Sequence, residues 1–237
     1  MKKGDWIKVH SLERVKATGE VFGATREEDA KKHDVYDSKK RYGPSLVILG
    51  AGFIIPGVEK HLLQMKVGER KSFDVIPKDA FGMKKRELIR VVPYKKFVEK
   101  NITPFPGLPI DIDNRHCKVL SVAGGRVTVD YNHPMAGKVL SYDVEITGLI
   151  KTPKERVESL LDYYGIKGAV SVTAKKAVIT TESKTADFVQ KLISETLKKW
   201  CEGVDSVEFK TKEEAKGNKR HPAKALDAKK PATRANA

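Results

Sequence analysis

Four runs of strict apolar alternation limit what this chain can become. Leu140, Tyr142, Val144 and Ile146 form the longest, and Ile7 with Val9, Leu46 with Ile48, and Phe73 with Val75 form the others. Successive side chains of a strand point to opposite faces, so each run describes a half-buried antiparallel strand. A twisted sheet follows from four such strands. Between the second and third runs in chain order, residues 56–65 place Val58, Leu62 and Met65 on one helical face, which can cover the sheet.

The alternation is interrupted before its last run. Residues 83–133 carry their own apolar patterning, at 88–92, at Ile110 and Ile112, at 119–122, and at Val127 and Val129. They read as a small β-rich insertion with one short helix near 94–100. After Ile150 the grammar changes, because Thr152-Pro153-Lys154-Glu155 supplies an N-cap, a proline at the first helical position and a capping-box glutamate. The helix that follows has Val157, Leu160, Leu161 and Tyr164 as its stripe, and Gly165 can take the left-handed position after its end. Two β-rich runs, 169–173 and 177–181, flank a turn at Lys175-Lys176. A second helix over about 183–200 is expected to turn Phe188, Val189, Leu192, Ile193, Leu197 and Trp200 inward, and 204–209 gives a last strand.

Composition narrows the setting. At 237 residues and 40% hydrophobic content the chain can bury a sizeable core in two or three domains. No run of 18 apolar residues and no secretory pattern is visible, so a cytoplasmic protein without membrane contact is expected. Cys117 and Cys201 lack ligand or disulfide spacing and read as free thiols. Six scattered histidines give no metal pattern, and neither a cofactor nor a metal is expected. The net charge of +15 favours polyanions and acidic unfolded chains alike. Residues 211–237 hold eight Lys/Arg against three acids and two prolines, a disordered basic tail that could be a solubilising end or a nucleic-acid arm. Gly165-Ile166-Lys167-Gly168 has the GxxG form of a nucleic-acid clamp. It follows one helix and leads into a strand, so a turn after the helix is the better reading.

Three segments carry a family resemblance. Residues 132–146, Asn132-His133-Pro134-Met135-Ala136-Gly137-Lys138 and onward through Tyr142, resemble the re-entry segment of SlyD-like FKBP-type peptidyl-prolyl isomerases. Residues 50–59, with Phe53-Ile54-Ile55-Pro56-Gly57-Val58, and Pro77-Lys78-Asp79-Ala80-Phe81-Gly82 are similar to that family's pocket wall and the turn before its flap, in the expected order. The resemblance covers residues 1 to about 150 and is nearest the long archaeal-looking forms. It implies an FKBP-type twisted antiparallel sheet wrapped on a short helix (1–82 and 134–150) and a β-rich insert-in-flap domain (83–133). With the C-terminal α+β domain (151–210) and the tail (211–237) read from the patterning above, an α+β fold is expected. The resemblance assigns the pocket to Phe22, Ile54, Ile55, Val58, Phe81 and Tyr142, with the Ile55 N–H taking the carbonyl before proline. The departures are Gly23 where an acid is expected, Ser11 or Leu12 where a tyrosine is expected, Ser45 for a large apolar residue, and Phe81 for the commoner tyrosine. They predict an apolar floor with a depleted polar rim, and weak or substrate-limited activity.

The chemistry implied needs no nucleophile. Rotation about an X-Pro bond must break amide resonance, against a barrier of roughly 18 to 20 kcal/mol. A dry pocket that holds the twisted form better than the planar one lowers it. The insertion is too small to bury all its apolar residues. Phe97, Ile102, Phe105, Leu108, Ile110 and Ile112 are the candidates for an exposed client-binding groove, with Pro104, Pro106 and Pro109 holding that segment extended. The function implied is a monomeric isomerase and chaperone acting on unfolded or nascent proline-containing polypeptide. One alternative is a holdase with a degenerate pocket, and another is an RNA- or ribosome-associated protein that uses its basic tail, for weak contact, and its C-terminal domain.

Overall fold

A computed structural model describes residues 1–112 and 115–212, so all but the first two residues of the expected basic tail lie outside the described residues. The chain divides into a unit of Met1–Lys151 and a second that begins at Thr152. In the first unit the chain runs β1 (Trp6–Val15), β2 (Val21–Ala24), α1 (Glu27–Lys32), β3 (Ser45–Ile48), α2 (Pro56–Leu62) and β4 (Arg70–Val75). It continues through β5 (Ile89–Pro93), α3 (Lys95–Val98), β6 (Pro109–Ile112), β7 (Arg115–Ala123) and β8 (Arg126–Asp130), and closes with β9 (Leu140–Leu149).

The last strand is the centre of the first sheet. β9 pairs antiparallel with β1 through Tyr142↔Glu13, Val144↔Ser11 and Ile146↔Val9, and with β4 through Tyr142↔Phe73 and Leu140↔Val75. The other edge of β1 is shared, β3 taking its first half and β2 its second. This is why the alternation is strongest at 140–146: a strand paired on both edges has one face on the core and one in water. Ile7, Val9, Val15, Leu140, Tyr142, Val144 and Ile146 line that inner face, and α2 and the turn after it close it with Val58, Leu62 and Met65. Each aliphatic side chain so buried contributes about 1.5–3 kcal/mol relative to exposure. On the outer face Leu12, Val21, Ala24 and Ala30 form a smaller cluster under α1.

The segment between β4 and β9 builds a separate antiparallel sheet in the order β5-β8-β7-β6. Its core is Phe97, Ile112, Cys117, Val119, Val127 and Val129, with Ile102, Leu108 and Ile110 partly buried against it. This corrects the expected exposure of Phe97 and Ile112. A four-stranded sheet needs one face covered, and α3 covers it by driving Phe97 inward to 2% exposure. Of the six apolar candidates Phe105 alone is well exposed, at 55%.

In the second unit α4 (Pro153–Tyr163), β10 (Gly168–Thr173), β11 (Lys176–Thr181), α5 (Asp187–Trp200) and β12 (Ser206–Thr211) follow in order. β11 is central, antiparallel to β10 and parallel to β12. Thr152 and Glu155 cap α4 reciprocally in a capping box, with Pro153 in the first turn. Gly165, at φ +69°, ends it, so the GxxG tetrapeptide is the turn after a helix. Val157, Leu160, Leu161, Ala177, Ile179, Ile193 and Leu197 are buried. Phe188 and Leu192 are not, and their expected inward position is corrected: α5 has two adjacent apolar stripes, and three strands cover only the one through Ile193 and Leu197. Among the described residues no helix is long and apolar enough to cross a membrane.

Candidate functional site

The site begins with an irregularity in pairing. Leu12 faces Ala24 and Glu13 faces Gly23, but Arg14 faces Val21, so β2 carries one extra residue at Phe22. Such a bulge re-aims a side chain. Val21 and Ala24 stay with the outer cluster, whereas Phe22 packs on the inner core. Its ring meets Tyr142 edge-on, with centroids 6.4 Å apart and planes at 82°. Tyr142 in turn stacks on its cross-strand neighbour Phe73 at 6.3 Å, and His61 from α2 also stacks on Phe73, at 3.9 Å.

The helix end and two turns complete the wall. Gly50 and Gly52 take φ of +89° and +75°, a conformation that favours glycine, and bend the loop before α2. The Gly50 N–H donates to Glu59 Oε1 at 2.5 Å, which ties this loop to the helix. Ile55 is the N-cap in an extended conformation, and its carbonyl accepts from the Val58 and Glu59 amides at 3.1 Å. Its own N–H makes no hydrogen bond among the described residues. The 3-10 turn at Pro77–Asp79 leads to Phe81, whose ring stacks on His133 at 4.0 Å with planes 3° apart. The Met135 N–H donates to His133 Nδ1 at 3.1 Å, so Nε2 carries the proton of the neutral ring.

All six residues assigned by resemblance therefore join one cluster. Val58 and Tyr142 are buried in it, and Phe22, Ile54, Ile55 and Phe81 are partly buried against it, so the cluster has an open edge. Phe53, Phe73 and Met135 pack on the same cluster, although none was among the six residues assigned to the pocket. Phe73 was legible, since it lies in the same alternating pattern as Tyr142 and only the strand register was missing.

The polar side of the cluster differs from the expectation. Glu13 shares its parity with Ile7, Val9 and Val15, so its side chain lies on the inner face between Gly23 and Tyr142. The Ser11 hydroxyl donates to Glu13 Oε1 at 3.1 Å. Burial raises the Glu13 carboxyl above its ordinary value, against the opposing pull of that hydrogen bond and of Lys40. Burial, and then the Glu13 charge, raise the Tyr142 phenol well above its ordinary value. His61 has the opposite sense, its pKa lowered by burial and then by Lys71, and its Nδ1 is a buried nitrogen with no hydrogen-bond partner among the described residues.

The segments that leave this sheet after β4 and return to it before β9 are clamped together. The Lys85 N–H donates to Asn132 Oδ1 at 2.9 Å and Asn132 Nδ2 donates back to the Lys85 carbonyl at 3.0 Å. Asp130 accepts from Asn132 Nδ2 at 2.7 Å and from Lys84 Nζ at 3.0 Å. The Gly137 N–H reaches the Gly82 carbonyl at 2.8 Å.

Comparison with known sequences identifies this arrangement. The family model described as FKBP-type peptidyl-prolyl cis-trans isomerase matches residues 1–99, and that of the FKBP26 IF domain matches residues 90–135. A short-type peptidyl-prolyl cis-trans isomerase of Methanocaldococcus jannaschii is 32% identical over 146 residues, which are 62% of this chain and 92% of the relative. The chain belongs to the FKBP-type peptidyl-prolyl cis-trans isomerase family. Among other FKBP-type relatives, SlyD of Helicobacter pylori is 30% identical over 62% of this chain and 80% of its own length. The FKBP-type 16 kDa isomerase of Escherichia coli is 30% identical over 44% of this chain and 72% of its own. The SlyD-like resemblance read from the three motifs thus holds, and the FKBP-type α+β fold with an IF insert fits the sheets described above.

Proposed function

We propose that this FKBP-type isomerase turns X-Pro bonds in the pocket of Phe22, Ile54, Ile55, Val58, Phe81 and Tyr142. The observation that carries this is the unspent Ile55 N–H at the edge of an apolar, aromatic-walled floor. A peptide whose proline ring enters the floor can give that donor the carbonyl preceding proline. The donor then fixes one end of the rotating bond while the apolar walls keep water from stabilising the planar amide. Nothing covalent is needed, and the pocket works by holding the twisted bond more tightly. In a proline-peptide assay Phe81→Ala and Tyr142→Ala should each lower kcat/KM about tenfold, the share of an aromatic side chain's burial that reaches the transition state. Unchanged rates in both folded variants would remove the pocket from this account.

Residues 1–82 with 134–150 serve as the catalytic domain in this reading, 83–133 as a client-holding insert and 151–210 as a further domain. The insert keeps Val91, Val98, Phe105 and Leu120 exposed after its core is filled, which supports a sequence-tolerant apolar hold on unfolded polypeptide. Holding a client raises the concentration of its prolines beside the pocket. Phe105→Ser with Leu120→Ser should therefore slow catalysed refolding of a proline-limited protein and leave the short-peptide rate unchanged. Equal rates in both assays would remove the insert from the catalytic account. The RNA-associated alternative rests on the net charge, on the C-terminal domain and on the tail, most of which lies outside the described residues.

A further inference from the structure

Gly23 and Glu13 are cross-strand partners at the bulge, and their fit is close. A β-carbon placed on Gly23 would lie 2.6 Å from Glu13 Oε2, 3.0 Å from its Cδ and 3.4 Å from its Cγ. The end of the Glu13 side chain thus fills the volume that any side chain at 23 would enter. Glu13 also faces Tyr142 across β9, and Ser11 holds its other oxygen at 3.1 Å. Phe22, the bulged residue, packs on the same inner cluster. Glycine within a strand is unfavourable unless something approaches it closely, and here a carboxylate does.

We propose that Glu13 is the acidic rim residue of the isomerase pocket, reaching from β1 into the space that Gly23 leaves open, and that it sets a preference for the residue before proline. This rests on the pocket reading above. The fold would then have an acid at this edge of the floor despite Gly23, supplied by the neighbouring strand. As the X-Pro bond twists, conjugation is lost and the carbonyl carbon becomes more ketone-like and more positive. A carboxylate fixed nearby by Ser11 favours that state over the planar one, because it is already oriented and partly dehydrated. The same charge repels an acidic side chain before proline and attracts a basic one. No bond is made or broken, and Glu13 acts by position and charge.

The test is a set of variants of the full chain, Glu13→Gln, Glu13→Ala, Gly23→Asp and the double Glu13→Ala/Gly23→Asp, assayed on short Lys-Pro, Ala-Pro and Glu-Pro peptides. Thermal melting checks that each is folded. Glu13→Gln keeps the shape and removes the charge, so it should lower kcat/KM on Ala-Pro about three- to tenfold and narrow the Lys-Pro to Glu-Pro ratio. Gly23→Asp should also lose activity, since it drives a second acid against the first. The double variant should regain most of the wild-type rate and the Lys-Pro preference, because it returns one acid to the same volume from the other strand. A folded Glu13→Gln with wild-type rates and an unchanged ratio would overturn the proposal, as would a double variant no better than the worse single one. Failure of the pocket reading itself looks different, since Phe81→Ala would then leave every peptide rate untouched.

Discussion

Gly57 stands in the first turn of α2, where a β-carbon would fall 2.3 Å from Val75 Cγ1 and 3.0 Å from the Asp79 carbonyl oxygen. Neither neighbour can yield cheaply, because Val75 is buried in the core and the Asp79 contact is backbone. Gly57→Ala should therefore destabilise the first unit by about 1–3 kcal/mol, the usual cost of overpacking. It should also weaken catalysis by shifting the helix end that presents Ile55 and Val58. Denaturant unfolding and the proline-peptide assay measure the two effects, and a variant as stable and active as wild type would show that α2 does not lie as tightly on β4 as these distances say. Gly57 and Glu13 differ in how far the sequence reveals them. The Pro56-Gly57-Val58 order was legible through family resemblance, whereas Glu13 was not, because residue-by-residue matching looks for the acid at position 23. Its signal was parity: an acid at a core-facing step of an alternating strand is costly unless a partner or a site justifies it.

Elements follow their local chemistry closely where capping or alternation is strong, and less closely where two patterns overlap. The start of α4 was legible to the residue from its capping box, but α5 begins at Asp187, four residues after the expected 183, and turns Phe188 outward. A helix with adjacent apolar stripes does not declare which one its sheet will cover. The hairpin between β10 and β11 is a second case. Thr173 pairs with Lys176, so Ala174 and Lys175 alone make the turn, at φ of +46° and +63°. Both central residues of such a turn need positive φ, which favours Asn-Gly and penalises side chains such as these. Ala174→Asn with Lys175→Gly should thus stabilise the second unit by about 1 kcal/mol. The expected readout is a rise in the melting temperature of that unit's transition, with the peptide assay unchanged. A fall in that temperature would mean that the Lys175 side chain, 3.6 Å from Asp205 at Nζ, contributes more than the turn costs.

In the first unit, the sheet that carries the candidate pocket and the insert proposed to hold clients are joined by the clamp between Lys84, Lys85, Asp130 and Asn132. Asp130 is buried, and burial opposes its charge, but hydrogen bonds from Asn132 and Lys84 outweigh this and leave its pKa lowered. A carboxyl whose folded pKa lies below its unfolded value, about 3.9, stabilises the fold at every pH above that value. The contribution is lost as pH falls through the folded pKa, so the clamp should loosen in acid below about pH 4. Asp130→Asn should flatten this part of the pH dependence. At neutral pH Asn132→Ala removes the paired bonds to Lys85 and leaves Asp130 with fewer donors, a loss of about 1–3 kcal/mol at the junction. His133, next in the chain, stacks on Phe81 of the candidate pocket, so the loosened junction borders the candidate site directly. If a held client must be presented at a fixed distance from the pocket, Asn132→Ala should slow catalysed refolding of a proline-limited protein several-fold more than it slows the short-peptide reaction. Faster amide exchange at residues 82–85 and 130–137 should accompany it. Parallel losses in both assays would locate the effect in Phe81 and His133 rather than in presentation, and unchanged exchange would mean that the clamp is not what holds the insert to the sheet.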